Sequence, residues 1–184
     1  MRKLSLIAVL AMFMAAALVA SGCMVSADKA IFTSSNKVKM PDISGAFKNE
    51  KGETFILTKV DGATNTFTLT APDKNTMTVI FEPLKTDGNY VFQIENKPNP
   101  EVLLGICKIE DSALKIYRLV PAPVTALGQE KKYGVTIDEN GRITKQPNNK
   151  KLKDFFEACF AEPNSVLVTT VKAGSAPPAG KKKK

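Results

Sequence analysis

The side chains with the greatest chemical potential in this sequence are three cysteines, Cys23, Cys107 and Cys159, in a chain of 184 residues that contains no histidine. Without histidine the chain lacks the commonest general base and metal ligand, and Ser-His and Cys-His nucleophile pairs are excluded. A nucleophilic cysteine also needs a lowered pKa, and no histidine is present to lower that of Cys107 or Cys159. The sequence therefore predicts a protein that is not an enzyme, with no catalytic residues.

Metal and cofactor sites are also not expected. A structural zinc site needs four donors, and only Cys107 and Cys159 remain if Cys23 is modified. The acidic pairs Glu110-Asp111 and Asp138-Glu139 fall in predicted turns, where neighbouring carboxylates are usually solvated charge. Residues 138–141 lack the alternating donors and distal glutamate of a calcium loop, and no glycine-rich phosphate loop occurs.

Cys107 and Cys159 have two interpretations. Cys107 falls in a predicted strand and Cys159 on the apolar face of a predicted helix, so in an exported protein they could form a disulfide joining the two elements. Alternatively, they are two separately buried thiols that behave as small hydrophobic side chains.

Cys23 closes an N-terminal segment with the layout of an export signal. Arg2 and Lys3 precede an uncharged apolar stretch over residues 4–20, and the small residues Ser21 and Gly22 follow. The apolar stretch is about 17 residues, at the lower limit for a helix that spans a bilayer, so a cleaved signal over residues 1–22 is the stronger interpretation than a permanent transmembrane helix.

The last residues of this segment, Leu18-Val19-Ala20-Ser21-Gly22-Cys23, resemble the lipobox of bacterial lipoproteins. Ala20 stands where that motif most often has leucine, and an ordinary secretory signal with a chance cysteine is the alternative. The resemblance implies diacylation of Cys23, cleavage before it by signal peptidase II, and a firm hold on a membrane in the cell envelope. Met24 is not acidic, which by the sorting rule of enteric bacteria implies the outer membrane, facing the periplasm or the surface.

The formal charge of +8 is concentrated at the two ends of the chain. Arg2 and Lys3 lie in the signal and Lys181, Lys182, Lys183 and Lys184 at the C-terminus, so the remaining body is nearly neutral. Such a body does not indicate a nucleic-acid-binding surface.

The body, residues 41–172, is predicted to be a single α+β domain, mainly β. Short alternating segments separated by turns predict an antiparallel meander of about seven strands that forms a small barrel or sandwich. After residue 121 the pattern predicts a polar stretch over residues 128–132, a short strand over 133–137 and a turn over 138–141. One amphipathic helix follows, capped by Asn148 or Asn149 and ended by Pro163, which packs on the sheet through the apolar positions Leu152, Phe155, Phe156, Cys159 and Phe160. A final strand covers 166–172.

Both ends of this domain are predicted to be irregular. Residues 23–40 are rich in serine and lysine and are interpreted as a lipidated tether, and residues 173–184 as a disordered basic tail. Lys181 to Lys184 are either a solvated end or a contact with anionic lipid or cell-wall polymer. A third interpretation is a resemblance to the murein lipoprotein, in which a terminal lysine, here Lys184, is joined to peptidoglycan.

These features predict a lipid-anchored, non-enzymatic envelope lipoprotein that binds an envelope protein or supports an assembly. The alternative is a carrier of a small apolar ligand. Gly45-Ala46-Phe47 resembles the Gly-x-Trp motif that opens lipocalins, with phenylalanine in place of tryptophan. In that case the barrel would be lined by the apolar side chains of Phe55, Leu57, Phe67, Leu69, Phe92 and Ile94.

Overall fold

The computed structural model describes residues 24–48, 52–96, 100–110, 113–117, 129–161 and 167–174. Within these residues the chain forms the following elements: β1 Val25–Ala27, β2 Gly45–Lys48, β3 Thr54–Lys59, β4 Thr66–Thr70, β5 Thr76–Pro83, β6 Asn89–Glu95, β7 Val102–Glu110, β8 Ala113–Tyr117, α1 Gln129–Tyr133, β9 Thr136–Ile137, β10 Arg142–Lys145, α2 Asn149–Ala161 and β11 Leu167–Gly174. The predicted fold class, α+β and mainly β with a C-terminal helix and a final strand, is confirmed.

Eight of the strands are joined in a circuit of antiparallel pairs. Strands β2 to β8 pair in sequence order, and β11 pairs with both β8 and β2, which brings the ladder back to its first strand. The circuit is barrel-like in its pairing, because each of its strands is hydrogen-bonded to a neighbour on both sides.

The sheet branches at β7. One edge of β7 is paired with β6, whereas the other is shared: its first residues pair with β1 and its last residues with β8. From β1 the sheet continues through β10 to β9, outside the circuit. The branch therefore adds a second layer to one side of the barrel.

Alternation along the strands produces two hydrophobic cores. Inward-facing side chains of the circuit, among them Phe67, Phe81, Phe92 and Cys107, form an inner core. Outward-facing side chains of β5, β6 and β7 form an outer core with β1, β9, β10 and α2. Strand β7 contributes to both cores, with Leu104 and Ile106 on the outer side, so it is apolar on both faces.

Helix α2 covers the outer core in the predicted way. Leu152, Phe155 and Phe156 have no exposed surface and Cys159 is 6% exposed. The side-chain oxygen of Asn148 accepts a hydrogen bond from the backbone N–H of Lys151 at 3.0 Å, which makes Asn148 the N-cap. Pro163, which is predicted to end this helix, lies outside the described residues.

The prediction for the stretch before α2 was wrong in two places. Residues 129–133, expected to be loop and the start of a strand, form helix α1, and only Thr136–Ile137 of the predicted strand is β9. The helix forms because Gln, Glu and Lys are good helix formers, and Tyr133 packs its ring 6.3 Å from that of Phe155. Gly134, at a φ of 73°, then ends α1 as a left-handed C-terminal cap.

The predicted tether over residues 23–40 was also wrong for most of its length. Met24, Val25 and Ala27 are buried, and β1 is an inner strand of the branch between β7 and β10. Ile31 and Phe32, which are 7% and 3% exposed, add to the outer core. The described fold therefore already includes Met24, well before the predicted start near Pro41.

Candidate functional site

The anchoring cysteine predicted from the sequence, Cys23, lies outside the described residues, but the chain that follows it is well defined. Met24 is 2% exposed and belongs to the inner core, and Val25 pairs with Leu104 of β7. The backbone N–H of Ser26 donates to the carbonyl oxygen of Gly141 at 2.9 Å. The point at which a lipid would be attached is therefore one residue from a buried side chain.

Two buried side-chain amides hold the rest of the N-terminal segment on the barrel wall. Gln93, with no exposed surface, accepts the backbone N–H groups of Ile31 and Phe32 at 2.7 and 3.0 Å. Asn65, also fully buried, accepts the N–H of Ser35 at 2.8 Å. Because a buried amide must find partners, these contacts fix the course of the segment. One sequence signal for this docking exists, the apolar pair Ile31-Phe32 within a polar run.

Cys107 and Cys159 are not bridged to each other, so of the two interpretations of this pair the structure excludes the disulfide and agrees with separate burial. Cys107 faces the inner core and Cys159 the outer core, on opposite sides of β7. A disulfide would need the two Cα atoms within about 7 Å and side chains that point toward each other. Burial in apolar surroundings raises the pKa of the Cys107 thiol, which makes it a poor nucleophile.

Two of the acidic residues singled out from the sequence, Glu110 and Asp138, take part in local structure. Glu110 accepts hydrogen bonds from Lys115 at 2.5 Å and Lys108 at 3.3 Å, which lower its pKa, the contact with Lys115 contributing most. Asp138 accepts the backbone N–H groups of Asn140 and Arg142, both at 2.9 Å, and so closes the turn before β10. Asp111 lies outside the described residues, and so do Lys181 to Lys184.

An open cleft of about 400 Å³ lies between the end of β5 and the start of α2. Two ion pairs cross it: Lys153 contacts Glu82 at 3.0 Å and Asp154 contacts Lys85 at 2.8 Å. Next to it, the carboxylate of Glu157 accepts the backbone N–H groups of Lys85 and Thr86. These contacts join α2 to β5 and to the β5–β6 turn, so the paired charges are accounted for as structural contacts.

The interior of the barrel is tightly filled at its centre. The rings of Phe67 and Phe81 meet edge to face at 5.7 Å, and that of Phe92 lies 6.2 Å from Phe81. A Cβ atom built on Gly105 would lie 2.4 Å from the ring of Phe92, so the glycine makes room for this ring. Of the side chains predicted to line the barrel, Leu57, Phe67 and Phe92 are buried in this core.

Toward the β4–β5 turn, the inward-facing side chains are less covered. Five neighbouring strands, β3 to β7, each contribute one half-buried apolar side chain there: Phe55, Leu69, Met77, Ile94 and Leu103. We call these five side chains the apolar rim. The apolar rim is one of the less covered parts of the inner face.

Within the described part of the chain, no three or more cysteine and acidic side chains are grouped so that they could hold a metal ion. In the same residues no helix has the length and apolar character needed to cross a membrane. Comparison with protein-family models, with curated proteins and with solved structures finds no match for this chain.

Proposed function

We propose that this chain is a lipid-anchored, non-enzymatic protein of the bacterial cell envelope, placed in the outer membrane, whose β-rich domain binds a partner protein or supports an envelope assembly. The single observation that carries the proposal is the position of Cys23, at the end of a lipobox-like segment and directly before the first buried residue of the fold, Met24. A signal cut at this point would leave every described strand and helix in the mature chain.

The ionisable groups support a role in binding and not in catalysis. Among the described residues, three carboxyl groups have a shifted pKa, and all three are shifted downward. In Asp42, Glu110 and Asp154 the hydrogen bonds that contribute most come from Ser44, Lys115 and Lys85 respectively. These groups stay ionised at neutral pH, whereas a catalytic general acid needs a raised pKa.

The proposal is tested by replacing Cys23 with serine. We expect the wild-type protein to fractionate with the outer membrane and to carry the mass of the attached lipid, and Cys23→Ser to lose both. Cys159→Ala is the matched control, because it also removes a cysteine but leaves the signal intact. Unchanged membrane retention and intact mass in Cys23→Ser would exclude a lipid anchor at this residue.

A second candidate, a carrier of a small apolar ligand, is supported by the apolar rim and by the barrel-like circuit of strands. A ligand seated there would contact Leu69, Met77 and Ile94, whereas the filled centre of the barrel would keep it shallow. Met77→Lys should abolish binding of a fluorescent apolar probe, and Thr78→Lys, on the opposite face of β5, should not. Equal binding by both variants would exclude the rim as the site.

A further inference from the structure

Three exposed lysines near the start of α2 are not accounted for by contacts within the domain. Lys145 ends β10, and Lys150 and Lys151 lie in the first turn of α2. None of the three forms an ion pair with a described acidic residue. We call these three residues the basic patch. Because the body of the chain is nearly neutral, the patch is a local excess of positive charge on its surface.

The stability of α2 does not explain the two lysines in its first turn. Acidic side chains are favoured there, because the free backbone N–H groups and the helix dipole place positive charge at that end. The first turn of α2 has no acidic residue. Asp154, one turn further on, is already paired with Lys85, whose hydrogen bond contributes most to lowering its pKa, and Lys150 adds a weaker charge effect. The lysines are therefore better explained by a contact outside the domain.

The open cleft between β5 and α2 adjoins the basic patch and adds an apolar surface to it. Its volume of about 400 Å³ is within the range of small ligand sites. Pro83 and Leu84 line it from the β5 side, and Asn149 and Lys150 line it from the α2 side. The exposed side-chain amide of Asn149 forms no hydrogen bond with a described residue. The cleft thus combines apolar side chains with a free amide and an unpaired ammonium group.

We propose that the cleft and the basic patch together bind an acidic segment of a partner protein, with an aliphatic side chain of the segment in the cleft and its carboxylates on the lysines. The inference rests on the proposed function, in which the domain binds an envelope protein, and it names the chemistry of that partner. Charge complementarity selects carboxylates, and the apolar lining selects a segment that also carries an aliphatic side chain. A flat layer of lipid headgroups would meet the lysines but leave the recessed Leu84 uncovered, which favours a peptide over a membrane.

The test measures binding of a short fluorescent peptide, in which Asp-Glu pairs flank a single leucine, to the full chain purified in nonionic detergent. Anisotropy is read at about 0.15 M salt, where the Debye length of about 8 Å screens distant charges. We expect Lys150→Glu/Lys151→Glu to lower the affinity at least about tenfold, and Lys145→Glu, outside the helix, to lower it by a smaller factor. The control Lys37→Glu/Lys39→Glu makes the same change in net charge at two other exposed lysines and should change the affinity less than about twofold. An unchanged denaturation midpoint shows that each variant is folded.

Two altered peptides separate the contributions of the cleft and of the charges. Replacing the leucine by serine, or the acidic residues by Asn and Gln, should each weaken binding to the wild-type protein. Equal binding of the leucine and serine peptides would mean that the lysines hold any anionic surface, lipid headgroups included, and would overturn the inference. So would the absence of binding to the wild type, or an equal loss in the control variant. Intact mass of the same preparation reports on Cys23: lipidated protein that does not bind leaves the anchor standing, and unlipidated protein that binds as expected leaves this surface standing.

Discussion

Gln93 holds the backbone of Phe32 at both of its polar groups: its Oε1 accepts the N–H and its Nε2 donates to the carbonyl oxygen, each at 3.0 Å. The same Oε1 accepts the N–H of Ile31, and Nε2 also donates to Glu95 at 2.7 Å. The amide is thus fully satisfied although it has no exposed surface. The Gln93 side chain therefore makes the backbone hydrogen bonds to residues 31 and 32 that a neighbouring strand would otherwise make.

Replacing this amide should release the N-terminal segment. Gln93→Ala leaves two buried N–H groups and a carbonyl group without a partner, so we expect a loss of about 2–4 kcal/mol in the free energy of unfolding. Gln146→Ala, at an exposed position, is the matched control and should change it by less than about 0.5 kcal/mol.

Chemical denaturation gives the two free energies, and hydrogen exchange at Ile31 and Phe32 reports on the segment itself. Protection of these amides in Gln93→Ala equal to that in the wild-type protein would mean that the apolar contacts alone hold the segment.

The contact between Gln93 and Phe32 also explains why the sequence predicts the barrel better than its N-terminal segment. Strands β2 to β8 are short segments rich in apolar residues, several of them alternating with polar ones, and turn residues separate them, so this local pattern was sufficient. The docking of residues 31–35 depends on buried amides at positions 65 and 93, which are about 30 and 60 residues away along the chain. A contact between residues so far apart in the chain produces no local pattern in the sequence.

The two cysteines show a second limit of local patterns. Alternation places Cys107 on one face of β7 and Ile106 on the other, but β7 is apolar on both faces. Because neither face of β7 is polar, the sequence does not indicate which of the two faces α2 covers. The helix packs on the Ile106 side, so Cys159 and Cys107 are separated by the strand.

Gly105 provides a test of the packing inside the barrel. A methyl group at this position would lie 2.4 Å from the ring of Phe92, its cross-strand partner, so Gly105→Ala should lower the free energy of unfolding by about 1–3 kcal/mol. In the double variant with Phe92→Leu the clash is removed. We therefore expect the double variant to lose less than the sum of the two single losses, as measured by denaturant titration. Strictly additive losses would show that the ring moves aside without strain.

The N-cap of α2 allows a comparison of two adjacent and chemically identical side chains. Asn148 accepts the N–H of Lys151, whereas Asn149 is the first residue of the helix, and both are exposed. Asn148→Ala should lower the free energy of unfolding by about 1 kcal/mol, and Asn149→Ala should have little effect, because alanine is favourable inside a helix. Thermal and urea denaturation of the two variants give the difference. Equal losses of unfolding free energy in the two variants would show that the Asn148 side chain is not the N-cap of α2.

Cys107 should make the fold sensitive to alkaline pH. Its burial raises the pKa of the folded thiol, whereas the unfolded thiol loses its proton near its ordinary value of 9.0. Above that pH the unfolded state binds fewer protons than the folded state, so stability is fully present below pH 9 and falls as the pH rises. For this one group the slope approaches about 1.4 kcal/mol per pH unit.

The measurement is the free energy of unfolding of the wild type and of Cys107→Ala between pH 8 and pH 10, under reducing conditions. The lysines titrate in both proteins, so the difference between the two slopes isolates the thiol. We expect a steeper fall in the wild type and, at pH 8, alkylation of Cys107 by iodoacetamide only after denaturant is added. Parallel slopes, or rapid alkylation of the native protein, would mean that Cys107 reaches solvent, in conflict with its place in the inner core.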